Sequence, residues 1–295
     1  MFKYKNYISC NCFIFLFFTF FSCKQSKDSL NTQNRSTVFY ADEMCKPILE
    51  AERFIFEAKH PDVKLEIRYG SEHFVLNHLN FDSSRLYCMI RSLDSIEVKR
   101  VFKKTYTTKS IKIADDAIAC VVSRKSKSNT IHLDSLNQII SNTNTKQARV
   151  LVVMQAHIGI FAYLKQKYKS DAIQKNIFSV PDSLSLMNYL ANNQNAIGLV
   201  PINWIGQNIN KDIQHDLKII SITLSSGLET MPDQLHLSEG KYPLAKGIYC
   251  NLIGSMSDDA SNFVNFCRNE VGQMIVLNSG QQPVIMPSRE FYTKE

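Results

Sequence analysis

The spacing of hydrophobic and polar positions predicts alternating strands and helices over the first part of the chain. The predicted elements are strand Thr37–Ala41, helix Pro47–Ala58, strand Lys64–Tyr69, helix Glu72–Leu79, strand Leu86–Ile90 and helix Ser95–Lys104. The helices carry apolar residues at helical spacing, and the strands alternate or are uniformly apolar. Strands that alternate with helices imply a mostly parallel sheet covered on both faces.

A second αβ unit follows the buried strand pattern at Ala117–Ser123. Its predicted elements are helix Leu133–Ile140, strand Val150–Met154, helix Ile158–Tyr168, helix Ser183–Ala191 and strand Ala196–Pro201. After these the sequence predicts a loop-rich section to about Lys241, a strand at Gly247–Leu252 and one helix over Asp259–Leu277 that stops before Gly280. The length from Thr37 onward, about 260 residues, suits two lobes of ordinary domain size.

The first 22 residues have the layout of a signal peptide. Lys3 and Lys5 precede the apolar run Cys12–Phe21, which leads to Ser22 and Cys23. A membrane-spanning helix needs about 20 apolar residues and this run has about half as many, so a permanent transmembrane anchor is the weaker alternative.

The small residue Ser22 directly before Cys23, with a polar stretch from Lys24 to Arg35 after it, resembles the lipobox of bacterial lipoproteins. Phe20 stands where that pattern usually has Leu. The resemblance implies an exported protein, lipidated on Cys23 and held on a membrane of the cell envelope, most simply on its periplasmic side. Residues 23–35 would form a flexible tether.

Charge and cysteine content narrow the class of protein. The net charge of +7 becomes +5 when Lys3 and Lys5 are removed, and the remaining basic residues are scattered among acids, so nucleic-acid binding is not predicted. The mild positive excess favours an anionic ligand or membrane surface. Five cysteines lie outside the signal segment and Cys23. Because their number is odd and no two of them form a CxxC pair, the sequence predicts buried free thiols over a disulfide framework. They are Cys45, Cys88, Cys120, Cys250 and Cys267.

Three segments together resemble the substrate-binding proteins of ABC importers, the phosphate-binding branch most closely. Ala114–Val122 resembles that family's crossing strand, and Tyr242–Tyr249 resembles its returning "YPL-x-R" segment, with Lys246 in place of Arg. Phe263–Cys267, followed by Gly272–Val276 and Gly280–Pro283, is similar to the family's closing helix and its Gly-x-x-Pro end.

This resemblance implies an α/β, two-lobed type II periplasmic binding protein fold with two hinge-crossing strands. Lobe 1 would comprise residues 36–117 and 245–295, and lobe 2 residues 118–244. The implied function is capture of a small anionic, phosphate-like solute and its delivery to an ABC permease in the membrane, by a protein that we expect to be monomeric and to need no cofactor. Ligands of such folds bind beyond the carboxyl ends of the strands.

Four strand-to-helix junctions therefore supply the candidate ligand-binding residues. They are Asp42, Glu43, Ser71, Arg91, Ser92, Gln155, Ala156 and His157. Arg91 is the first candidate, because a guanidinium at a strand's carboxyl end can grip an oxyanion with two hydrogen bonds. An ion pair of Arg91 with Asp94 or Glu97 is the equally weighted alternative.

The other candidates also have structural alternatives. Ser71 and Ser92 can donate to a ligand or cap the helices that follow them. Asp42 and Glu43 would repel an anion at a helix start, so local capping is the alternative there. A structural role for His157 is favoured over ligand contact, and Trp204 either walls the cleft or packs in the core.

Enzymatic function has no support among the recognised motifs. The sequence contains no HExxH, GxSxG or Walker A motif and no histidine cluster with metal-ligand spacing, so neither a catalytic residue nor a metal site is predicted. The alternative to transport keeps the fold but gives it an altered pocket, in a lipoprotein that acts as a sensor or as a docking module for a partner.

Overall fold

The structure is a computed structural model that describes residues 35–80, 84–102, 107–141, 149–168, 177–208, 216–254 and 259–288. The predicted signal peptide, Cys23 and all of the predicted tether except Arg35 lie outside these residues. Arg35 is the first residue of a strand. Within the described residues, no helix combines the length and the apolar character needed to cross a membrane.

The described strands and helices follow the predicted alternation. The strands are β1 (Arg35–Asp42), β2 (Val63–Gly70), β3 (Leu86–Met89), β4 (Thr108–Ser123), β5 (Thr130–His132), β6 (Val150–Met154), β7 (Ile177–Val180), β8 (Ala196–Pro201), β9 (Leu217–Thr223), β10 (Glu229–Thr230), β11 (Ala245–Ile253) and β12 (Gln282–Pro283). The helices are α1 (Lys46–Lys59), α2 (Glu72–Asn77), α3 (Ser95–Phe102), α4 (Leu133–Ser141), α5 (Gly159–Tyr168), α6 (Ser183–Asn192), α7 (Ile202–Asn208), α8 (Gln234–Ser238), α9 (Asp259–Arg268) and α10 (Glu270–Asn278). Single 3-10 turns occupy Glu43–Cys45, His78–Asn80 and Gln155–His157.

The first sheet has the strand order β2-β1-β3-β11-β4, with β12 also on β4. β2 and β3 run parallel to β1, whereas β11 is antiparallel to both β3 and β4. The sheet is therefore mixed, and the prediction of a mostly parallel sheet was wrong for its β11 and β4 side. Because β1, β2 and β3 are parallel, the junctions after Asp42, Gly70 and Met89 lie at one edge of the sheet.

Strand β4 leaves the first sheet and continues into the second. It pairs with β11 up to Ala117 and with β8 from Ile118 onward. In the second sheet β6 lies parallel to β8 and β7, while β9 pairs with the far end of β4 and carries β5 and β10. The chain passes back to the first sheet at β11, where the Tyr242 hydroxyl donates to the Ile118 carbonyl at 2.9 Å.

Helix α1 illustrates how the hydrophobic pattern becomes packing. It begins with Pro47 in its first turn, where the missing N–H is no loss, and it buries Ile48, Leu49 and Phe56 on one face. Phe56 meets Phe263 of α9 edge-on at 5.4 Å between ring centroids, and Phe263 stacks on Phe39 of β1 at 5.6 Å. These three rings pack β1, α1 and α9 together in the core of the first sheet.

Two predictions about the C-terminal half were wrong. The section expected to be loop-rich contains α7, β9, β10 and α8. The expected single helix over Asp259–Leu277 is two helices, α9 and α10, interrupted at Asn269. The Asn269 side chain caps α10 by accepting from the Gly272 N–H at 3.0 Å, and a β-carbon on Gly272 would lie 2.3 Å from the Phe266 carbonyl oxygen. The close turn therefore requires glycine at that position.

The five cysteines from Cys45 onward are buried and unbridged, as predicted. Cys88 and Cys250 lie opposite each other on β3 and β11 with their sulfurs 3.5 Å apart. Burial raises the pKa of the Cys120 thiol to about 12, which keeps it protonated and unreactive.

Candidate functional site

The junction after β1 is built around the buried carboxylate of Asp42. The side chain is 1% exposed, and Oδ1 accepts a hydrogen bond from the Met44 N–H at 2.8 Å, so Asp42 caps the 3-10 turn that leads into α1. Within the described part of the chain, Oδ2 has no hydrogen-bond partner. Asp42 therefore caps the turn, but the capping hydrogen bond uses only one of its two carboxylate oxygens.

Burial also changes the acidity of Asp42. It raises the pKa of this carboxyl to about 6, an effect that the Met44 N–H and the charge of Lys246 partly oppose and that Glu72 and Glu43 reinforce. A β-carbon on Gly159, at the start of α5, would lie 3.3 Å from Oδ2. The first junction of the first sheet therefore lies directly against the β6–α5 junction of the second sheet, and a side chain at position 159 would require Asp42 and Met44 to shift by a few tenths of an ångström.

An ion pair lies at the base of the same region. Lys246 Nζ contacts Asp116 Oδ2, and both side chains are fully buried. The two residues face each other in register on β11 and β4. The pair therefore bridges the two strands through which the chain passes between the sheets.

Asn203 links this ion pair to the first junction. Its backbone N–H donates to Asp116 Oδ1 at 3.4 Å, and its side-chain Nδ2 donates to the Met44 carbonyl at 2.9 Å. Asn203 is fully buried, and its Oδ1 lacks a partner among the described residues. A residue of α7, after the second sheet's β8, is thereby bonded to the turn after β1.

His157 completes the cluster from the second sheet. It is 3% exposed, and its ring meets the Trp204 ring edge-on at 5.7 Å. Burial, with a smaller contribution from the charge of Lys246, lowers the pKa of His157 to about 3, so the imidazole is neutral. Its Nδ1 has no partner in the described ranges. We refer to Asp42, Asp116, His157, Asn203 and Lys246 as the cleft-floor cluster.

Two openings reach the cleft-floor cluster. The larger one, of about 690 Å³, has His157 in its wall. Its other lining residues are Glu43, Lys46, Pro47, Glu50, Ala51, Ala156, Ser183 and Trp204. The smaller one, of about 190 Å³, has Lys246 in its wall together with Glu72, Ile90, Arg91, Ser92, Tyr163, Gln166, Gly247 and Tyr249.

Arg91 lies at the smaller opening, but acids surround its guanidinium. Nη1 and Nη2 donate to the two carboxylate oxygens of Glu97, each at 2.8 Å, and Nε donates to Glu72 at 2.7 Å. Nη1 also donates to the Ser92 carbonyl at 2.9 Å, and Nη2 forms an ion pair with Glu72 at 2.5 Å. The alternative of an ion pair with Glu97 is therefore present in the structure, and all three guanidinium nitrogens donate to residues of the chain.

The other candidates from the sequence are divided between these places. Glu43 and Ala156 line the larger opening, and Ser92 lines the smaller. Ser71 caps α2 by accepting from the Phe74 N–H at 3.3 Å. Capping by Ser92 was wrong, because Asp94 accepts from the N–H groups of Ile96 and Glu97 at 2.8 Å. Gln155 is exposed in its 3-10 turn.

The sequence did not single out Asp116, Asn203 or Lys246 as site residues. Lys246 and Asp116 were noted only inside motifs of the family resemblance, and no sequence signal marked Asn203. No group of three or more metal-ligating side chains suited to a metal ion occurs among the described residues. The cluster can thus offer unpartnered acceptor atoms to a small molecule, beside a buried ion pair.

The chain passes from the first sheet to the second along β4 and returns at β11, and polar groups lie where the two sheets meet. This arrangement is the two-lobed type II periplasmic binding protein fold. Comparison with solved structures agrees. A protein of Clostridium perfringens assigned as a phosphate ABC transporter substrate-binding protein, solved with bound phosphate, is 19% identical with a TM-score of 0.66, over 85% of this chain and all of that one. A phosphate transport receptor from Vibrio cholerae is 13% identical with the same TM-score, over 84% of this chain and all of that one.

The same architecture also occurs outside transport. The regulatory domain of OxyR2 from Vibrio vulnificus is 12% identical with a TM-score of 0.51, over 84% of this chain and 96% of that one. Comparisons with protein-family profiles and with curated protein sequences found no match. At these identities the likeness concerns the fold alone.

Proposed function

We propose that this protein is a solute-binding protein of an importer, which captures a small oxyanion in a protonated form at the cleft-floor cluster and presents it to a membrane permease. The observation that carries the proposal is a set of three buried side-chain atoms in this cluster that have no hydrogen-bond partner among the described residues: Asp42 Oδ2, His157 Nδ1 and Asn203 Oδ1. Buried polar atoms without partners are costly, and a bound solute would supply the missing hydrogen bonds.

The chemistry of these atoms selects the kind of oxyanion. Asp42 Oδ2 and Asn203 Oδ1 are acceptors, so the solute must bring donors. A protonated oxyanion such as monobasic phosphate carries hydroxyl groups, whereas sulfate carries none. The charge of Lys246 is already compensated by Asp116 in the buried ion pair, so a solute of low net negative charge suits the cluster best.

The lobes of this proposal are residues 36–117 with 245–295, and residues 118–244. The change of partner of β4 between Ala117 and Ile118 and the start of β11 at Ala245 support these limits. Two lobes joined by two strands can open and close as rigid bodies without remaking either core.

The cellular setting is also part of the proposal. We propose export through the signal peptide over residues 1–22, lipidation of Cys23 and a tether to residue 35, which would keep a monomeric, non-enzymatic binder close to a permease in the same membrane. A tether of about twelve residues has a root-mean-square reach of roughly 20 Å.

Calorimetric titration of the protein with phosphate, sulfate and molybdate tests the function. We expect phosphate to bind at micromolar or lower concentration, with affinity falling as rising pH removes the proton that the anion donates to Asp42. Sulfate should bind at least roughly tenfold more weakly, since one lost hydrogen bond to a charged group is worth about 1.5 kcal/mol or more. Binding that is absent, or requires millimolar concentration for every oxyanion, would reject the proposal.

A second candidate, a sensor or partner-docking lipoprotein with an altered pocket, is favoured by the acids around Arg91. Glu72 and Glu97 occupy the guanidinium that would otherwise face an anion at the smaller opening. Neighbouring genes discriminate between the two functions: a permease and an ATPase beside this gene favour uptake, and their absence, together with a failed titration, favours the second candidate.

A further inference from the structure

A third cavity lies in the part of the fold built on the second sheet. It has a volume of about 350 Å³ and is bounded by α6, α7 and the strands β4, β8 and β9. Its walls are mostly apolar side chains. They are Val121, Leu186, Met187, Val200, Trp204, Ile205, Leu217 and Ile219. The size and lining are those of a small-molecule pocket.

The cavity is open to solvent, and Arg124 at one end of it is exposed. Water that lies against walls made of Leu, Val, Ile and Met side chains finds few polar partners there. An apolar molecule would gain free energy by covering the same surface.

One end of the cavity is positively charged. Arg124 and Lys218 line it where β4 ends and β9 begins. Lys218 Nζ donates to the Ser126 carbonyl at 2.8 Å and to Asn129 Oδ1 at 2.6 Å, both of which are neutral acceptors. The charge of Lys218 is therefore not neutralised by these contacts, and its third N–H is directed to neither of them.

We propose that this pocket binds a small apolar molecule that carries one anionic group, of the class of a medium-chain aliphatic carboxylate. The chain of the ligand lies against the apolar walls, and its carboxylate lies at the end of the cavity that Lys218 lines. Binding of this ligand does not require the oxyanion function that is proposed for the cleft.

The pocket is also placed to influence the cleft. Trp204 and Ser183 line both this pocket and the larger opening of the cleft, and the Trp204 ring contacts His157 of the cleft-floor cluster. A ligand that shifts the indole would therefore change the wall against which the cleft solute packs.

Tryptophan fluorescence tests the proposal directly, because Trp204 is the only tryptophan of the chain. Titration of the protein with decanoate should give a saturable change in Trp204 emission at micromolar concentration. Decanol and decyltrimethylammonium, which keep the chain but remove or invert the charge, should bind at least roughly tenfold more weakly. No saturable change with decanoate, or equal responses to all three probes, would overturn the proposal.

Two variants and a control locate the binding. Lys218→Gln should weaken decanoate roughly tenfold and leave decanol unchanged, whereas Lys127→Gln, an exposed lysine outside the pocket, should change neither. Met187→Phe narrows the cavity and should weaken the decanoate response while oxyanion binding in the cleft persists, since Met187 lines the apolar pocket and not the larger opening. Equal decanoate affinity in Lys218→Gln and the unchanged protein would contradict the assigned position of the anionic group. A circular-dichroism melt of each variant verifies folding.

Discussion

Lys246 and Asp116 form an ion pair with both side chains fully buried, on the two strands that join the two sheets. Removal of one partner leaves an uncompensated charge in the protein interior, which usually costs about 3 to 5 kcal/mol. We therefore predict that Lys246→Met lowers the free energy of unfolding by about that amount in urea titrations. The double variant Lys246→Met with Asp116→Leu should recover most of the loss, because two apolar side chains need no mutual compensation.

A neighbouring pair on the same strand provides the control. Lys112 and Asp115 also form an ion pair, but their side chains are 36% and 27% exposed. Lys112→Met should therefore cost less than about 1 kcal/mol. Equal losses for Lys112→Met and Lys246→Met would show that burial of the Lys246–Asp116 pair has no special weight.

Replacement of Asp42 by a neutral residue should stabilise the protein in a pH-dependent way. The pKa of Asp42 is about 6 in the folded chain against an ordinary value of 3.8, so its protonated form favours folding, and that contribution is present below pH 4 and lost as the pH rises through 6. Asp42→Asn, which keeps the cap, should match the unchanged protein at pH 4 and be more stable by about 2 to 3 kcal/mol at pH 8. Thermal unfolding at both pH values measures this.

Asp182 is the control, because its pKa is shifted in the direction opposite to that of Asp42. It caps α6 by accepting from the Ser185 N–H at 2.8 Å, and this backbone bond lowers its pKa. Its ionised form favours folding, so Asp182→Asn should lose stability at pH 8 rather than gain it. A gain for both variants at pH 8 would mean that burial of Asp42 is not the cause.

Glu52 is a second buried acid, on the face of α1 that packs on the first sheet. It is fully buried, neither carboxyl oxygen has a partner among the described residues, and burial raises its pKa to about 9, with a further contribution from Cys250. Its protonated form favours folding fully below pH 4.5, and this is lost progressively as the pH rises toward 9. Glu52→Gln should raise the free energy of unfolding by about 3 kcal/mol at pH 7 and leave it unchanged at pH 4.

Glu57, on the same helix, is the matched control for Glu52. Burial alone would raise the pKa of Glu57, but the Leu65 N–H that donates to it at 2.8 Å and the nearby Arg53 and Lys64 together outweigh burial and lower this pKa. Glu57→Gln should therefore destabilise the protein slightly at pH 7. Stabilisation by Glu57→Gln, or no gain from Glu52→Gln at pH 7, would argue against burial as the cause.

The surroundings of Arg91 predict an effect on binding. Glu72 and Glu97 engage its donors, so release of one acid frees part of the guanidinium toward the smaller opening. Glu72→Gln should increase the affinity for phosphate severalfold in calorimetric titrations, since it also removes a negative charge near Asp42. Glu66→Gln, which removes the exposed partner of Arg68, should leave the affinity unchanged. Weaker phosphate binding in Glu72→Gln would indicate that Glu72 itself holds the solute.

The strands and longer helices of this fold could be predicted from the sequence because the hydrophobic positions in each follow one clear period. The α1 pattern, with Pro47 at its start, gave bounds within one residue of those observed. The five-residue helix α8 is too short for a 3.6-residue period to be visible, although Asp233 caps it. The break at Asn269 depends on a close approach of Gly272 to Phe266, and the apolar stripe of the predicted single helix continues across it.

The candidate site was harder to predict, because its important contacts join distant parts of the chain. The sequence placed Asp42, Arg91 and His157 at strand ends, where the structure has them. The partner of Lys246 lies 130 residues away, and Glu72 reaches Arg91 from the neighbouring junction. Hydrophobic periodicity carries no information about such pairs, since it specifies which face of an element is buried and not which polar groups meet there.

Crystals of the protein grown with phosphate would show whether a protonated oxyanion binds at the cleft-floor cluster. We predict tetrahedral density within hydrogen-bond distance of Asp42 Oδ2 and Asn203 Oδ1, in contact with His157 and near Lys246. Density confined to Arg91 and Ser92, or a cleft without phosphate at concentrations that saturate the phosphate-binding proteins of this fold, would contradict it.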